Sequence, residues 1–259
     1  QTVAGWHLRA MRSSRGPRVL LLPALMHNHR VYKTLAEKLL RAHPRLVPVL
    51  ANPRNFPEST VVTAPNTVPA YGRELAEVVV AERIDVIFAH SYACSVVCAA
   101  LRALPRRVKL IFSSFAHTYR QEPWAARGLG AVTRTPLKRG VWPLLSRNLH
   151  RVFGGLATNT SAEEIGSMVT VARRLDPDLL WEQLGGYFDY LKQEGDLVGA
   201  IASEAERLLI LQGTEDDVQF PPEVARSSHL RRSTVPDAAH LLMTDNPTAV
   251  AQEIVDFLP

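Results

Sequence analysis

Residues Asp85 to Val97 read DVIFAHSYACSVV and constrain the fold more tightly than any other stretch. Val86-Ile87-Phe88 is an apolar, β-favouring run. It delivers the chain to a lone hydroxyl among small neighbours, Ala89-His90-Ser91-Tyr92-Ala93, and residues from Ala93 to Leu104 then suit a helix. A buried strand, a sharp turn on a serine and a closely packed helix make the device known as a nucleophile elbow, which holds the serine Oγ above a sheet edge. The positions two before and two after that serine must be small because strand and helix backbones pass close there. Glycine usually fills both in the G-x-S-x-G pattern; here both are alanine, Ala89 and Ala93. So short a motif gains meaning only from partners elsewhere in the chain.

The flanking pattern supplies a sheet for such an elbow. Trp6–Met11 and Arg18–Leu22 read as strands joined by the turn-rich Ser13-Ser14-Arg15-Gly16-Pro17. The second is apolar throughout, as expected of a strand covered on both faces. Val31–Ala42 is a helix with Val31, Leu35 and Leu39 on one stripe, begun by Asn28 or His29. Leu46–Leu50 is strand-like, and Pro48 argues for a sheet edge or a bend. Residues 52–69, rich in proline, read as an irregular surface loop. Ala70–Arg83 is a helix, Val108–Phe112 and Leu208–Leu211 are strands, Pro222–Ser228 is a short helix, Arg232–Val235 a last strand and Pro247–Leu258 a closing helix. Alternating strands and helices imply an α/β fold with a mostly parallel, doubly wound sheet. The alternation breaks at about 116–205. That segment is expected to be an inserted helical cap, with 1–115 and 206–259 forming one core.

With 259 residues, 46% of them hydrophobic, the chain suits one sizeable domain. The two cysteines, Cys94 and Cys98, lie four apart after Ser91, so a disulfide framework is excluded and two buried thiols are expected. No further ligands stand at metal-site spacing. The formal net charge of +5 comes without a nucleic-acid-binding motif, so no nucleic-acid partner is expected. No run is long enough to be read as a transmembrane helix. A cytoplasmic protein is expected, and a start at Gln1 rather than Met leaves an N-terminal leader open.

A serine hydroxyl becomes a nucleophile when a base takes its proton and a third group orients that base. Two later stretches offer these. Leu208-Leu-Ile-Leu-Gln-Gly-Thr-Glu-Asp216-Asp217 runs from a strand through a glycine turn into acids. Val235-Pro-Asp-Ala-Ala-His240-Leu-Leu-Met-Thr-Asp-Asn-Pro247 runs from a strand through a histidine loop to a helix start. With these in place the chain resembles the α/β-hydrolase superfamily. AHSYA resembles its GHSxG elbow, LLILQGTEDD its strand and G-x-x-D loop, and PDAAHLLMTDNP its AGHxxxxExP segment. PRVLLLPALMHN followed by LAEKL occupies the place of its HG loop and first helix.

The resemblance implies Ser91 as nucleophile, His240 as general base and then acid, and Asp216 as the residue orienting His240. Counting from Gly213 selects Asp216, counting back from Pro221 selects Asp217, and Glu215 is a third choice. The oxyanion hole would use the backbone N–H of Leu25 and of Tyr92, each such donor being worth about two to three orders of magnitude in rate. Here Pro23-Ala24 stands where relatives carry His-Gly, removing a side chain that commonly braces that loop. His27 and His29 are read as cleft-mouth residues or as exposed, helix-capping ones, His90 as a support of the turn, and His117 as a pocket border.

Between Arg120 and Arg151 seven Arg/Lys stand against one acid, Glu122; from Ser161 to Asp196 eight acids stand against three bases. Trp124, Trp142, Trp181, Tyr187, Phe188 and Tyr190 are interspersed. A solvated helical cap with an aromatic underside is expected. A sharper expectation is an acyl or polycyclic pocket beneath a basic face that meets a phosphopantetheine, coenzyme A or acidic carrier. The sequence thus reads as a cofactor-independent serine hydrolase of hydrophobic esters or thioesters. The alternatives are a cyclase, acyltransferase or carbon–carbon lyase on the same fold, a non-catalytic ligand-binding member, or a cofactor-free perhydrolase or dioxygenase relative.

Overall fold

The apolar runs assemble into one sheet. The structure is a computed structural model that describes residues 2–12 and 15–259; the Ser13-Ser14 part of the expected turn lies outside them. Strands β1 (Thr2–Val3), β2 (Trp6–Ala10), β3 (Arg18–Leu22), β4 (Val47–Asn52), β5 (Val86–His90), β6 (Lys109–Ser113), β7 (Leu208–Gly213) and β8 (Arg231–Val235) lie in the order β1-β2-β4-β3-β5-β6-β7-β8. From β4 to β8 every pairing is parallel, while β1 and β2 join antiparallel at one edge.

Successive strand side chains point to opposite faces, and both faces are covered. Val19 and Leu21 of β3, with Val86 and Phe88 of β5, pack on one side with helices α1 (Lys33–Ala42) and, near the C-terminus, Pro247–Asp256. Leu20 and Leu22, with Ile87 and Ala89, pack on the other with α2 (Val68–Ala81) and α3 (Tyr92–Ala100). This is the doubly wound arrangement expected of unbroken apolar strands. Strand order turns back between β3 and β5, the kind of switch point at whose carboxyl ends open α/β sheets commonly bind ligands.

Six helices, α4 (Trp124–Val132), α5 (Lys138–Arg147), α6 (Leu149–Gly155), α7 (Ala162–Ala172), α8 (Pro177–Glu194) and α9 (Val198–Ala202), separate β6 from β7 among the described residues. Helices α10 (Pro222–Ser227), α11 (Leu242–Asp245) and α12 (Pro247–Asp256) complete the chain. No helix among the described residues is long and apolar enough to cross a membrane.

Two expectations are corrected. Strand β4 is interior, flanked by β2 and β3. Pro48 is tolerated because its carbonyl, which accepts from Met11 N–H at 2.9 Å, faces β2 just where that antiparallel ladder ends at Ala10 and Val49. The missing N–H therefore costs no interior ladder bond. The 52–69 passage is irregular and, from 58 to 65, largely exposed as expected, but its first residues, 52–57, are buried. Arg54, only 1% exposed, pairs with Glu74 at 2.8 Å, donates to Asn66 Oδ1 at 3.1 Å and to Pro65 O at 2.9 Å, and lies over the Tyr71 ring. A buried guanidinium is tolerable only with its donors satisfied in this way.

Candidate active site

Ser91 leaves β5 with φ 53 and ψ −120, a conformation costly for a residue with a Cβ. Hydrogen bonds on both sides hold it there: its N–H donates to Ser113 O at 2.9 Å and its carbonyl accepts from Cys94 N–H at 2.9 Å. Ala89 and Ala93, both buried, provide the narrow contact between strand and helix. Cys94 and Cys98 are buried free thiols, as expected.

The acid and the histidine arrive from neighbouring strands. Of the three candidate acids, Asp216 reaches the imidazole: His240 Nδ1 lies 3.2 Å from Asp216 Oδ1. Asp217 is exposed, and Glu215 accepts from the Thr158 hydroxyl at 3.0 Å. Since a carboxylate only accepts, the proton belongs on Nδ1 and His240 Nε2 keeps its lone pair. Gly213 makes this meeting feasible, because a Cβ there would stand 2.2 Å from Ala238 O and 2.5 Å from Ala239 O. Bare backbone lets Glu215 N–H donate to Ala238 O at 2.9 Å, stitching the acid loop to the histidine loop. Ser91 Oγ makes no hydrogen bond among the described residues; catalytic contacts are commonly long before substrate arrives.

The electrostatics follow from these contacts. Burial alone would lower the His240 pKa, but the Asp216 hydrogen bond and charge, helped by Glu122 and Asp217, raise it above the ordinary value of 6.5. Burial alone would raise Asp216, but His240, the Ser114 hydroxyl and Val218 N–H hold it below the ordinary carboxylate value.

A serine at a strained turn after the central strand, beside an Asp–His pair, sets the comparison with known proteins. The model of the Alpha/beta hydrolase family matches residues 19–253. The chain belongs to the alpha/beta hydrolase family. Among solved structures, a thermophilic esterase from Thermogutta terrifontis aligns with a TM-score of 0.74 at 18% identity, over 97% of this chain and 92% of that one. An esterase from Exiguobacterium antarcticum aligns with a TM-score of 0.77 at 13% identity, over 97% and 94%. A bromoperoxidase from Bacillus anthracis aligns with a TM-score of 0.74 at 11% identity, over the same shares. At such identities the likeness shows the fold. No curated protein matches the chain significantly.

In this alpha/beta hydrolase the loop after β3 is a tight turn, closed by His27 N–H to Ala24 O at 3.3 Å, with Met26 at φ 66. Neither the Leu25 nor the Tyr92 N–H donates to a protein acceptor among the described residues. Of the two readings of His27 the exposed one is corrected: the residue is 5% exposed, its ring 5.1 Å from that of Phe153. Its Nδ1 lies 3.0 Å from Leu25 O, so Nδ1–H donates and His27 braces the loop after β3. Burial, reinforced by His240 and opposed by the Leu25 carbonyl, lowers its pKa to about 4 and keeps it neutral.

His29 does not cap; Asn28 does, its side chain accepting from Arg30 N–H at 3.0 Å. His90 is buried with Nδ1 3.0 Å from Ser113 Oγ and its ring 5.1 Å from that of His240. His117 pairs with Asp196 at 2.9 Å where the chain leaves β6, against the Phe220 ring.

Three contributors were not singled out from the sequence. Buried Asp245 gathers Thr158, Asn159 and Thr160 N–H and the Thr160 hydroxyl on one oxygen and Ala239 N–H on the other, all within 2.6–3.0 Å, and so fixes the loop that carries His240. Its place in TDNP, beside the helix-starting Asn246-Pro247, was the available signal. Ser114, at φ 52, donates to His240 O at 2.9 Å. Glu122 accepts from Tyr187 OH at 2.5 Å, and Tyr187 in turn packs on Tyr92, the residue after Ser91. Burial raises the Glu122 pKa, opposed by the Tyr187 hydroxyl.

Proposed function

We propose that this protein is a serine hydrolase that cleaves hydrophobic carboxylic esters or thioesters through an acyl-enzyme on Ser91. The observation that carries the reading is the Asp216–His240 pair on the loops after β7 and β8, its imidazole ring 5.1 Å from that of His90, the residue before the strained Ser91, together with the unengaged backbone N–H groups of Leu25 and Tyr92.

In the proposed cycle His240 Nε2 takes the Ser91 proton as Oγ bonds to the substrate carbonyl carbon. Leu25 and Tyr92 N–H hold the developing oxyanion, and Asp216 stabilises the imidazolium without being protonated itself. His240 then gives the proton to the leaving alcohol or thiol. Water attacks the acyl-enzyme with its proton passing to His240, and the acid product leaves with Ser91 restored. The helical insertion acts as a cap, with Tyr119, Tyr187 and Phe188 supplying an apolar wall beside Tyr92.

A fluorophosphonate followed by mass mapping tests the reading. Covalent label on Ser91, absent from Ser91→Ala and strongly reduced in His240→Ala, supports it. Folded protein that takes no label refutes it.

A further inference from the structure

Positive charge is not spread over this chain. Residues 120–151 carry seven Arg/Lys against Glu122 alone, a local +6 that exceeds the formal +5 of the whole protein. Two of these cations are neutralised inside the insertion, Arg134 by Asp189 and Lys138 by Asp178. Arg120, Arg139, Arg147 and Arg151 are exposed and have no ion-pair partner among the described residues.

The same stretch exposes its large apolar side chains. Helices α4 and α5 bury no residue at all. Trp124 is 81% exposed, Leu137 67% and Leu144 65%, although Trp side chains are highly buried on average. On α5 the arrangement is ordered. At about 100° per residue, Arg139, Pro143, Arg147, Gly140 and Leu144 fall on one exposed arc. Leu137 stands seven residues before Leu144 at the apolar edge of that arc, while half-buried Val141, Trp142 and Leu145 turn the other way.

We infer that this exposed arc of α5 docks on an anionic lipid bilayer, with Leu137 and Leu144 entering the interface and the unpaired Arg139 and Arg147 meeting headgroup phosphates. Leucine gains free energy at the membrane–water boundary, and each nearby arginine adds attraction to an anionic surface. An acidic carrier protein would also satisfy the charge. It would need a pocket to receive protruding apolar side chains, whereas a bilayer accepts them without one. With no membrane-crossing helix among the described residues, the attachment is peripheral. The inference does not depend on the role of Ser91.

Co-sedimentation of the full chain with large vesicles tests it. Binding is expected to mixed phosphatidylglycerol–phosphatidylcholine vesicles and not to phosphatidylcholine alone, with release by salt. Leu137→Ser with Leu144→Ser, and separately Arg139→Glu with Arg147→Glu, are each expected to weaken binding by about tenfold or more. All four side chains are exposed, so unchanged melting temperatures serve as the folding check. Failure of the folded protein to bind phosphatidylglycerol vesicles overturns the inference, as does binding that neither pair of substitutions weakens. Equal binding to polyglutamate, indifferent to the apolar pair, overturns it in favour of an acidic protein partner.

Discussion

His240 Nδ1 stands 3.2 Å from Asp216 Oδ1, and the two groups move each other's protonation in opposite directions, His240 up and Asp216 down. In the proposed cycle His240 acts first as a base and must be neutral, so kcat/KM is expected to rise with pH through a midpoint above 6.5, the ordinary imidazole value. Stability runs the other way. The His240 contribution is complete below its unfolded pKa and is lost as pH rises through the raised folded value. The Asp216 contribution is present above the unfolded carboxylate value and is lost as pH falls through the lowered one. Asp216→Asn should therefore lower kcat by about four orders of magnitude and move the acidic limb to lower pH, since burial lowers the imidazole and only Glu122 and Asp217 remain to oppose it. Ester hydrolysis followed against pH for both proteins checks this; a limb that stays in place would detach Asp216 from the role.

Glu122 is a secondary cause of the raised His240 value and hydrogen-bonds Tyr187 at 2.5 Å. Glu122→Gln removes the charge and retains a hydrogen-bonding shape. The acidic limb should move to lower pH, by less than in Asp216→Asn because Asp216 is the larger influence, with kcat on the plateau within about threefold of the parent. A limb that moves upward would contradict this electrostatic account.

The sheet and the strand ends that carry Ser91, Asp216 and His240 were legible because each rests on local pattern: an apolar run, then a small or turn-forming residue, then a polar side chain. What was not legible depends on distant partners. Pro48 signalled an edge, yet its cost depends on which neighbouring ladder stops beside it, a matter settled by where β2 ends. Arg54 reads as a surface cation until Glu74, Asn66 and the Tyr71 ring close around it. His27 braces Leu25 because Phe153, from the insertion, covers its ring. Trp124 was expected on an apolar underside and stands in solvent, since nothing in α4 periodicity says which helices will lie above it. Among the acids, spacing alone left Asp216 and Asp217 open; the buried geometry joins Asp216 to His240.

The His27 brace predicts an effect on rate without direct contact with the reacting atoms. His27→Ala leaves the Leu25 carbonyl unengaged and a void beside Phe153, freeing the loop whose N–H is assigned to the oxyanion. A fall in kcat of about one to two orders of magnitude is expected, less than for outright loss of a donor, with KM little changed. His27→Asn, which can still donate to Leu25 O, should recover part of the loss. Steady-state kinetics on one chromogenic ester decides between this and a purely structural role, in which both variants would lose stability and retain kcat.

Gly213 predicts a steric effect at a distance from Ser91. Alanine would place a Cβ 2.2 Å from Ala238 O, a backbone atom that cannot swing aside, so the acid and histidine loops must part. Gly213→Ala is expected to cost about 1–3 kcal/mol in denaturant unfolding and to reduce turnover disproportionately, because the 3.2 Å Asp216–His240 contact spans the loops being separated. Preserved turnover in a destabilised variant would show that the loops move together.

Asp245 offers the sharpest separation of support from chemistry. One buried carboxylate receives three consecutive N–H groups and a hydroxyl from residues 158–160 and a further N–H from Ala239, beside His240. Asp245→Ala leaves several of these donors buried without acceptors, and bonds to a charged acceptor are worth more than neutral ones, so a loss on the order of 3 kcal/mol or more is expected. Asp245→Asn keeps one acceptor oxygen and should lose less. If the carboxylate only shapes the His240 loop, the Asn variant retains the pH midpoint of the parent while its kcat falls with its stability. Unfolding in urea together with the kcat/KM profile of the two variants tests both parts, and a displaced midpoint in Asp245→Asn would place Asp245 among the groups that set His240 protonation.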